Sequence, residues 1–439
     1  MHGTNTVFHA KIRDTPRLRR IADWLAIGVA VSLPWSTSAT AILIALWLAA
    51  ALPTMSIEQI RRELATAAGA LPVLLWALAA IGMLWADVTW RERLEGLGHF
   101  HRLLIIPLLL AQYRRSERGP WVLYGYLAAA LGVLVASWVL ALVPGLPSHG
   151  SEFGVPAKNY IFQGESFTLC AFALIGHACE RGRARQWPAV LGLVVAAALF
   201  LANIFFVATT SRTVLIVIPV LALFVGWRQF GTRGLLGAAL VGIAVGAAVW
   251  FTSSHLRERV NESIAEYAAY RKSDEANSTG LHVEFLRKSL PIVATAPLIG
   301  HGTGSMLEQF RRVTSGQTGA SSLLTANPHN QILVVAIQLG ILGGCILAAM
   351  WIAHLLLFRV SGLIALVGAI VVIKSVVASL FNSELFDFTE GWLYVFGVGV
   401  AGGTVLRQRD SAADAASADV SKTMEAYKSE AAPSIHRVG

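Results

Sequence analysis

Residues 188–252 read PAVLGLVVAAALFLANIFFVATTSRTVLIVIPVLALFVGWRQFGTRGLLGAALVGIAVGAAVWFT. Three apolar runs, near 188–208, 212–228 and 233–252, are parted only by Thr209-Thr210-Ser211 and by the short polar stretch from Arg228 to Arg233. Runs of about 20 apolar residues cross a bilayer as helices, and breaks this short leave room only for turns. The stretch therefore predicts three consecutive membrane-spanning helices. Scanning outward adds runs near 21–35, 38–55, 66–85, 100–112, 120–144 and 166–179 on one side, and near 331–358, 361–381 and 389–406 on the other. The predicted fold is all-α, a polytopic membrane bundle of about twelve helices. Composition agrees: of 439 residues, 55% are hydrophobic and 14% charged, against roughly a quarter charged in globular domains. An ordinary soluble enzyme is excluded.

The net charge of +9, from 35 Lys and Arg against 26 Asp and Glu, would suggest nucleic acid on a soluble protein. Position explains it here. With the N-terminus inside, the inner connections carry 18 basic residues, within Lys11–Arg20, Arg61–Arg62, Arg114–Arg118, Arg181–Arg185, Arg228–Arg233, Arg359 and Arg407–Arg409. The short outer loops carry only Arg91, Arg93 and Lys158. This asymmetry sets both termini in the cytoplasm. The first run continues into Pro34 and Trp35 rather than an Ala-x-Ala-like cleavage site, so it is expected to be retained. Cys170, Cys179 and Cys345 fall in or at the ends of spans, which leaves no outer-loop pair for a disulfide.

The chain then divides into a basic cytoplasmic segment (1–20), nine spans (21–252), a long periplasmic loop (253–330), three further spans (331–406) and a cytoplasmic tail (407–439). The tail is rich in Ala, Ser and Asp and is read as disordered. Loops as long as 253–330 usually carry function. Leu256, Val260 and Ile264 recur every fourth residue and predict an amphipathic helix. A second helix is predicted over Leu281–Leu290, stopping or kinking at Pro291. Pro297, Gly300, Gly302 and Gly304 then form a turn-rich stretch that lets backbone approach a ligand closely.

Outer-side polar residues supply the candidate chemistry. Asp87, Asp274 and Asp387 are isolated, and no Asp-x-Asp or His/Glu spacing suits a metal. No Gly-rich phosphate loop ends in Lys-Ser or Lys-Thr, so neither a metal nor a nucleotide cofactor is expected. The run Asn327-Pro328-His329-Asn330-Gln331 opens the tenth span, with Asn327 as N-cap and Pro328 at the first helical position. His329 would then sit in the first turn, where the helix dipole keeps the imidazole neutral and able to accept a proton. The bland alternative is a polar residue at the membrane interface. Arg212, at the outer mouth of the bundle, could clamp a phosphate or simply reach lipid headgroups. Arg287 and Lys288 form a third cationic point, otherwise an ordinary solvated helix face. Lys374 within the eleventh span is a functional candidate by cost alone, or a partner of a carboxylate such as Glu384. His282, His301, His101 and Arg102 lie on or near the outer side. Gly340, Gly343 and Gly344 are read as allowing close helix packing.

These residues carry a resemblance. His329-Asn330, followed by nine residues, Gly340, two residues and Gly343, resembles the His-[Asn/Ser/Gln]-x9-Gly-x-x-[Gly/Thr/Tyr] motif of the O-antigen ligase family (WaaL), within the O-antigen ligase and polymerase superfamily. Pro297-Leu298-Ile299-Gly300-His301-Gly302-Thr303-Gly304 and Ser211-Arg212-Thr213 are similar to the family in context, and the late, long outer loop fits its topology. The resemblance implies a glycosyltransferase of the GT-C type in the bacterial inner membrane. Such an enzyme moves O-antigen from undecaprenyl pyrophosphate to lipid A-core on the periplasmic face, with inversion and without ATP or metal. It implies His329 as general base and Arg212 and Arg287 as cations on the leaving pyrophosphate. Asn330, Lys288, His282, His301 and Lys374 are the candidate substrate-binding residues. The family places an Arg close to His282, where this chain has His, which leaves the second arginine open between Arg287 and another position. Membrane lipids are expected partners, nucleic acid is not, and the protein is expected to act as a monomer. The related readings are an O-antigen polymerase or a protein O-oligosaccharyltransferase. A secondary transporter is the reading from another class, against which stand the missing six-plus-six repeat and the clustering of polar candidates at one face.

Overall fold

The computed structural model describes residues 16–143, 145–146, 153–208 and 210–431, with side chains to residue 419. Among these the structure is all helical, with no strand. Each predicted apolar run coincides with a helix or part of one. Five helices are long and apolar enough to cross a membrane: Thr37–Thr54, Gly119–Leu142, Trp187–Phe206, Arg212–Thr252 and Gln331–Leu357. Two bent pairs, Ile57–Leu64 with Ala67–Gly82 and Trp90–Gly98 with His101–Tyr113, raise the number to seven if each is one span. The remaining predicted spans fall short on length or purity. Pro16–Ser32 has 17 residues and Leu363–Ala378 has 16, while Tyr160–Arg183 carries Glu165, Glu180 and Arg181.

Arg212–Thr252 is one run of helical hydrogen bonds only nominally. At Gly231 the backbone turns to φ 64°, ψ −147°. A Cβ on Gly226 would lie 2.5 Å from the Gly234 carbonyl oxygen, whereas residues eight apart in a straight helix are separated by about 12 Å. The two halves thus fold back as a hairpin, and Ser253 returns to hydrogen-bond the Phe205 carbonyl, near the start of the run at Arg212. The predicted pair of spans, 212–228 and 233–252, is this hairpin.

Connections gather at two ends of the bundle. At one end Arg114 pairs with Glu63 and Asp410, Arg62 with Asp410, and Arg407 with Glu117. Arg228 caps the Phe358 and Val360 carbonyls there. At the other end Arg312 pairs with Asp87, Gly96 abuts Gly304, His99 stacks on Phe386 and Lys158 donates to Thr389. Between the ends lies an apolar core with Trp47, Tyr394, Phe100 and Phe167 fully buried.

The 253–330 insert folds as helices Ser254–Ser273, Ser278–Thr295 and Met306–Thr314. Ser253 and Asn277 cap the first two, each accepting from a backbone N–H of the first turn. The second helix passes through Pro291 to Thr295 instead of stopping there. Buried Ile292 holds its last turn in a small core with Phe285, Met306, Phe310, Val334 and Ile337. That core joins the insert to the Gln331–Leu357 helix. At the C-terminus the helix from Phe388 runs on to Ala431, through residues whose composition suggested disorder. Ala-rich sequence without Gly or Pro between Thr404 and Ala432 favours helix, and this local propensity outweighs the polar composition.

Candidate functional site

The Gln331–Leu357 helix is capped by Asn330, whose Oδ1 accepts the Leu333 N–H at 3.1 Å. Asn327, the predicted cap, does something else. Its Oδ1 accepts the His329 N–H at 2.9 Å and a hydrogen bond from Ser383 Oγ at 2.6 Å. His329 therefore stands before the helix, not in its first turn, with φ 54°, an uncommon left-handed conformation for a residue with a side chain. The imidazole is still held below its ordinary value, but by burial first and by the neighbouring His282 second, against the Asn382 side chain, which favours the charged form. Burial, rather than the helix dipole, is what disfavours the charged imidazole here. Asn330 also donates to the Leu380 carbonyl at 3.0 Å, so its side chain anchors the motif rather than facing outward.

His282 is the partner that sequence spacing did not pair with His329. Their rings lie 4.5 Å apart between centroids, with Phe285 beyond. His282 Nδ1 contacts the Ser278 carbonyl at 2.8 Å. Burial first, then Arg212, hold its pKa down, opposed by the Ser278 carbonyl and Glu266. Arg212 donates to Glu266 at 2.6 Å, Ser263 at 2.9 Å and Ser278 at 3.3 Å. A continuous chain of contacts thus runs from Arg212 through Ser278 and His282 to His329. Glu266 also accepts from the Thr279 hydroxyl and N–H, which fixes the guanidinium in place.

Arg287 lies at the rim, its side chain 66% exposed and paired with Glu284 at 3.0 Å. Glu284 is itself held by Tyr270 at 2.6 Å. Lys288 turns inward, buried, and donates to the Ser321 carbonyl. His301 Nε2 contacts the Ile292 carbonyl and Thr295 Oγ1 at 3.0 and 3.1 Å, and its N–H bonds to the Ile337 carbonyl. Lys374 is buried among Glu165, Glu384 and Glu390, at 2.9 Å from Glu384. Of the predicted residues, His329, His282 and Arg212 come together and Arg287 stands nearby on the same insert helix as His282. Asn330, Lys288, His301 and Lys374 are instead engaged with internal partners. Sequence reading missed Glu165 and Glu390, whose carboxylate oxygens come within 4.8 Å of each other and of Glu384. The Lys374 ammonium bonds to all three.

Gly340 proves to be a break rather than a packing notch. Its backbone adopts φ 63°, ψ −163° within the helix, and residues 297–304 thread past the gap. His301 and Gly302 donate to the Ile337 and Gln338 carbonyls, while Ile341 and Leu342 donate to Pro297 and Leu298. The groups freed by the break are thereby satisfied, as buried backbone requires. A Cβ on Gly340 would lie 2.3 Å from the Leu298 carbonyl, and one on Gly300 2.4 Å from Gln338. Gly340→Ala is expected to combine about 1–3 kcal/mol of backbone strain with displacement of the 297–304 strap. A clearly lowered unfolding temperature in detergent would report it, and an unchanged one would show that the break is dispensable.

Apolar helices of membrane-crossing length, with an insert that gathers histidine and arginine at one mouth of the bundle, define a multi-pass membrane protein with a polar site at its surface. Residues 195–348 match the family model described as O-Antigen ligase. The match takes in the hairpin, the whole insert and the motif helix beyond Gly340, and so contains His329, His282, Arg212 and Arg287. No curated protein is matched by the chain.

Proposed function

We propose that the protein is an O-antigen ligase, transferring O-antigen from undecaprenyl pyrophosphate to lipid A-core on the periplasmic face of the bacterial inner membrane. The observation that carries this reading is the contact chain that links Arg212, through Ser278 and His282, to the half-buried imidazole of His329 within the matched region. The twelve-span topology with both termini inside belongs to the same proposal and draws support from the charge asymmetry of the loops, and the GT-C type rests on the family resemblance. In this mechanism an acceptor hydroxyl attacks the anomeric carbon of the donor sugar from the face opposite the pyrophosphate. Its proton passes to His329, the carbon–oxygen bond to pyrophosphate breaks, and the configuration inverts. Arg212 and Arg287, preorganised by Glu266 and Glu284, take up the charge growing on the leaving group. A lipid pyrophosphate supplies its own activation, so ATP is not needed.

The decisive assay uses purified full-length protein, lipid-linked O-antigen and lipid A-core, with EDTA and without ATP. Transfer under these conditions is expected; a requirement for a divalent metal, or full activity in a His329→Ala variant, would overturn the mechanism. In cells, loss of the protein should leave lipid-linked O-antigen unattached. Single-repeat caps on lipopolysaccharide would indicate a polymerase, and loss of glycan from proteins alone a protein-directed enzyme.

The pH profile follows from the imidazole pair. A base must be neutral, and His329 is held below the ordinary histidine value of about 6.5 by burial and by His282. Transfer should therefore be flat above that value and fall only as pH drops through the depressed pKa. His282→Gln removes a neighbour that disfavours the charged form, so the acidic limb should move to higher pH. A limb that stays in place would show that the two rings do not interact.

A further inference from the structure

In the half of the bundle away from the histidines, an apolar cleft of about 310 Å³ opens between helices, a volume within the range of small-ligand sites. Leu33, Val122 and Leu127 line it on one side, and Leu174, Leu193 and Val367 on the other. No Lys, Arg, Asp or Glu lines it among the described residues. Toward the histidine end it is closed. Tyr126, a lining residue, is hydrogen-bonded there to buried Ser166 at 2.7 Å, next to the Glu165 that contacts Lys374. The opposite end is polar. His177 lines it, and its Nε2 accepts from Arg181 Nε at 3.3 Å, while Arg181 Nη1 donates to Gln186 Oε1 at 2.8 Å. These bonds fix an exposed guanidinium at the edge of the cleft and leave its Nη2 without a protein partner among the described residues. Glu180 lies 3.8 Å from the other ring nitrogen, Nδ1, so the imidazole stands between the two charges.

The cleft opens onto a lipid-like flank. Its lining residue Tyr124 is exposed, as are Trp121 and Trp187 at the starts of their helices and Trp227 beside Arg228. Exposed Trp and Tyr at one end of a membrane bundle mark the headgroup level. Arg181 stands at that end too, since the neighbouring Arg183 donates to the Gln229 carbonyl. From Arg181 back to the lining residue Leu169 is about 18 Å along the helix axis, against roughly 15 Å for one leaflet, half of a hydrocarbon core. We infer that the cleft binds an anionic phospholipid of the leaflet at this end, with one acyl chain between the helices and the phosphate on Arg181. The chain matches the apolar lining. The phosphate matches the fixed guanidinium, whose N–H groups suit its oxygens, and basic pockets between membrane helices take anionic headgroups. A chain anchored in the opposite leaflet is kept out by the Tyr126–Ser166 closure. Such a site needs only that the bundle lies in a membrane, and it goes beyond the glycan reaction, whichever that is.

Native mass spectrometry of full-length protein from nanodiscs of equal phosphatidylglycerol and phosphatidylcholine reads the site without catalysis. The parent should retain one phosphatidylglycerol, preferred at least about tenfold over phosphatidylcholine, the ratio that one hydrogen bond to a charged group supports. Arg181→Gln, at an exposed position, should bring that ratio close to one. Leu193→Trp, at the partly exposed mouth, should leave the cleft without lipid. Thermal unfolding of delipidated protein in detergent gives a second measurement that also reports whether each variant is folded. Added phosphatidylglycerol should raise the unfolding temperature of the parent more than phosphatidylcholine does, and the two lipids should act alike on Arg181→Gln. A parent that retains no lipid, or either variant matching the parent in lipid retention and preference, would overturn the assignment.

Discussion

His329→Ala is expected to lower glycan transfer by about 10²–10⁴-fold, the usual contribution of a positioned general base, with donor binding largely retained. Among the side chains shown in contact with it, the imidazole is the group placed to take a proton: the neighbouring His282 is turned toward the Ser278 carbonyl, and Asn382 and Asn327 are amides. Alanine also meets the left-handed backbone at this position, which a side chain pays for with about 1–2 kcal/mol. His329→Asn separates the two effects, since asparagine tolerates that conformation. Both variants should lose transfer to a similar degree while keeping the thermal stability of the parent within a few degrees. Activity surviving in the asparagine variant would move the base elsewhere.

The second large effect is expected at Lys374. Three buried glutamates surround its ammonium, and removing one partner of a buried ion pair typically costs about 3–5 kcal/mol. Lys374→Met should therefore destabilise the whole bundle rather than alter substrate affinity. The cluster ties Tyr160–Arg183, Leu363–Ala378 and Phe388–Ala431 together, and through Glu384 it holds the turn carrying Asn382 and Ser383 beside the motif. Removing charge on the other side, as Lys374→Met with Glu384→Gln and Glu390→Gln, should recover part of the loss. Thermal unfolding of the single and triple variants in detergent measures both. A Lys374→Met protein as stable as the parent but with a raised donor KM would return the lysine to the substrate-binding role its position in the sequence suggested.

Helices were legible in the sequence because apolar runs of bilayer length have few other outcomes, and even the hairpin at Gly231 was visible as two runs around a basic break. The motif was legible too, but not its register. Asn327 and Asn330 both suit an N-cap, and only the contacts of Asn327 with His329 and Ser383 decide between them. Gly340 looked like a packing residue because a glycine that relieves a helix surface and one that permits a break are identical in one dimension. The Glu165, Glu384 and Glu390 cluster left no local signal, since its members come from two distant parts of the chain. Arg212 and His282 were separate candidates for the same reason. What joined them was the helix that Asn277 caps, which carries Ser278 and His282 on one face.

The strap of residues 297–304 across the Gly340 break also bears on modularity. The insert looks like a detachable cassette between two spans, yet its last stretch completes the hydrogen bonding of the helix that follows. A chimera exchanging residues 253–330 alone would bring a foreign strap to the native break and leave the four bonds at Ile337, Gln338, Ile341 and Leu342 to chance. The unit that recombines intact extends to residue 342. Swaps meant to change glycan specificity should cut there, inside the membrane helix, and not at the apparent loop boundary.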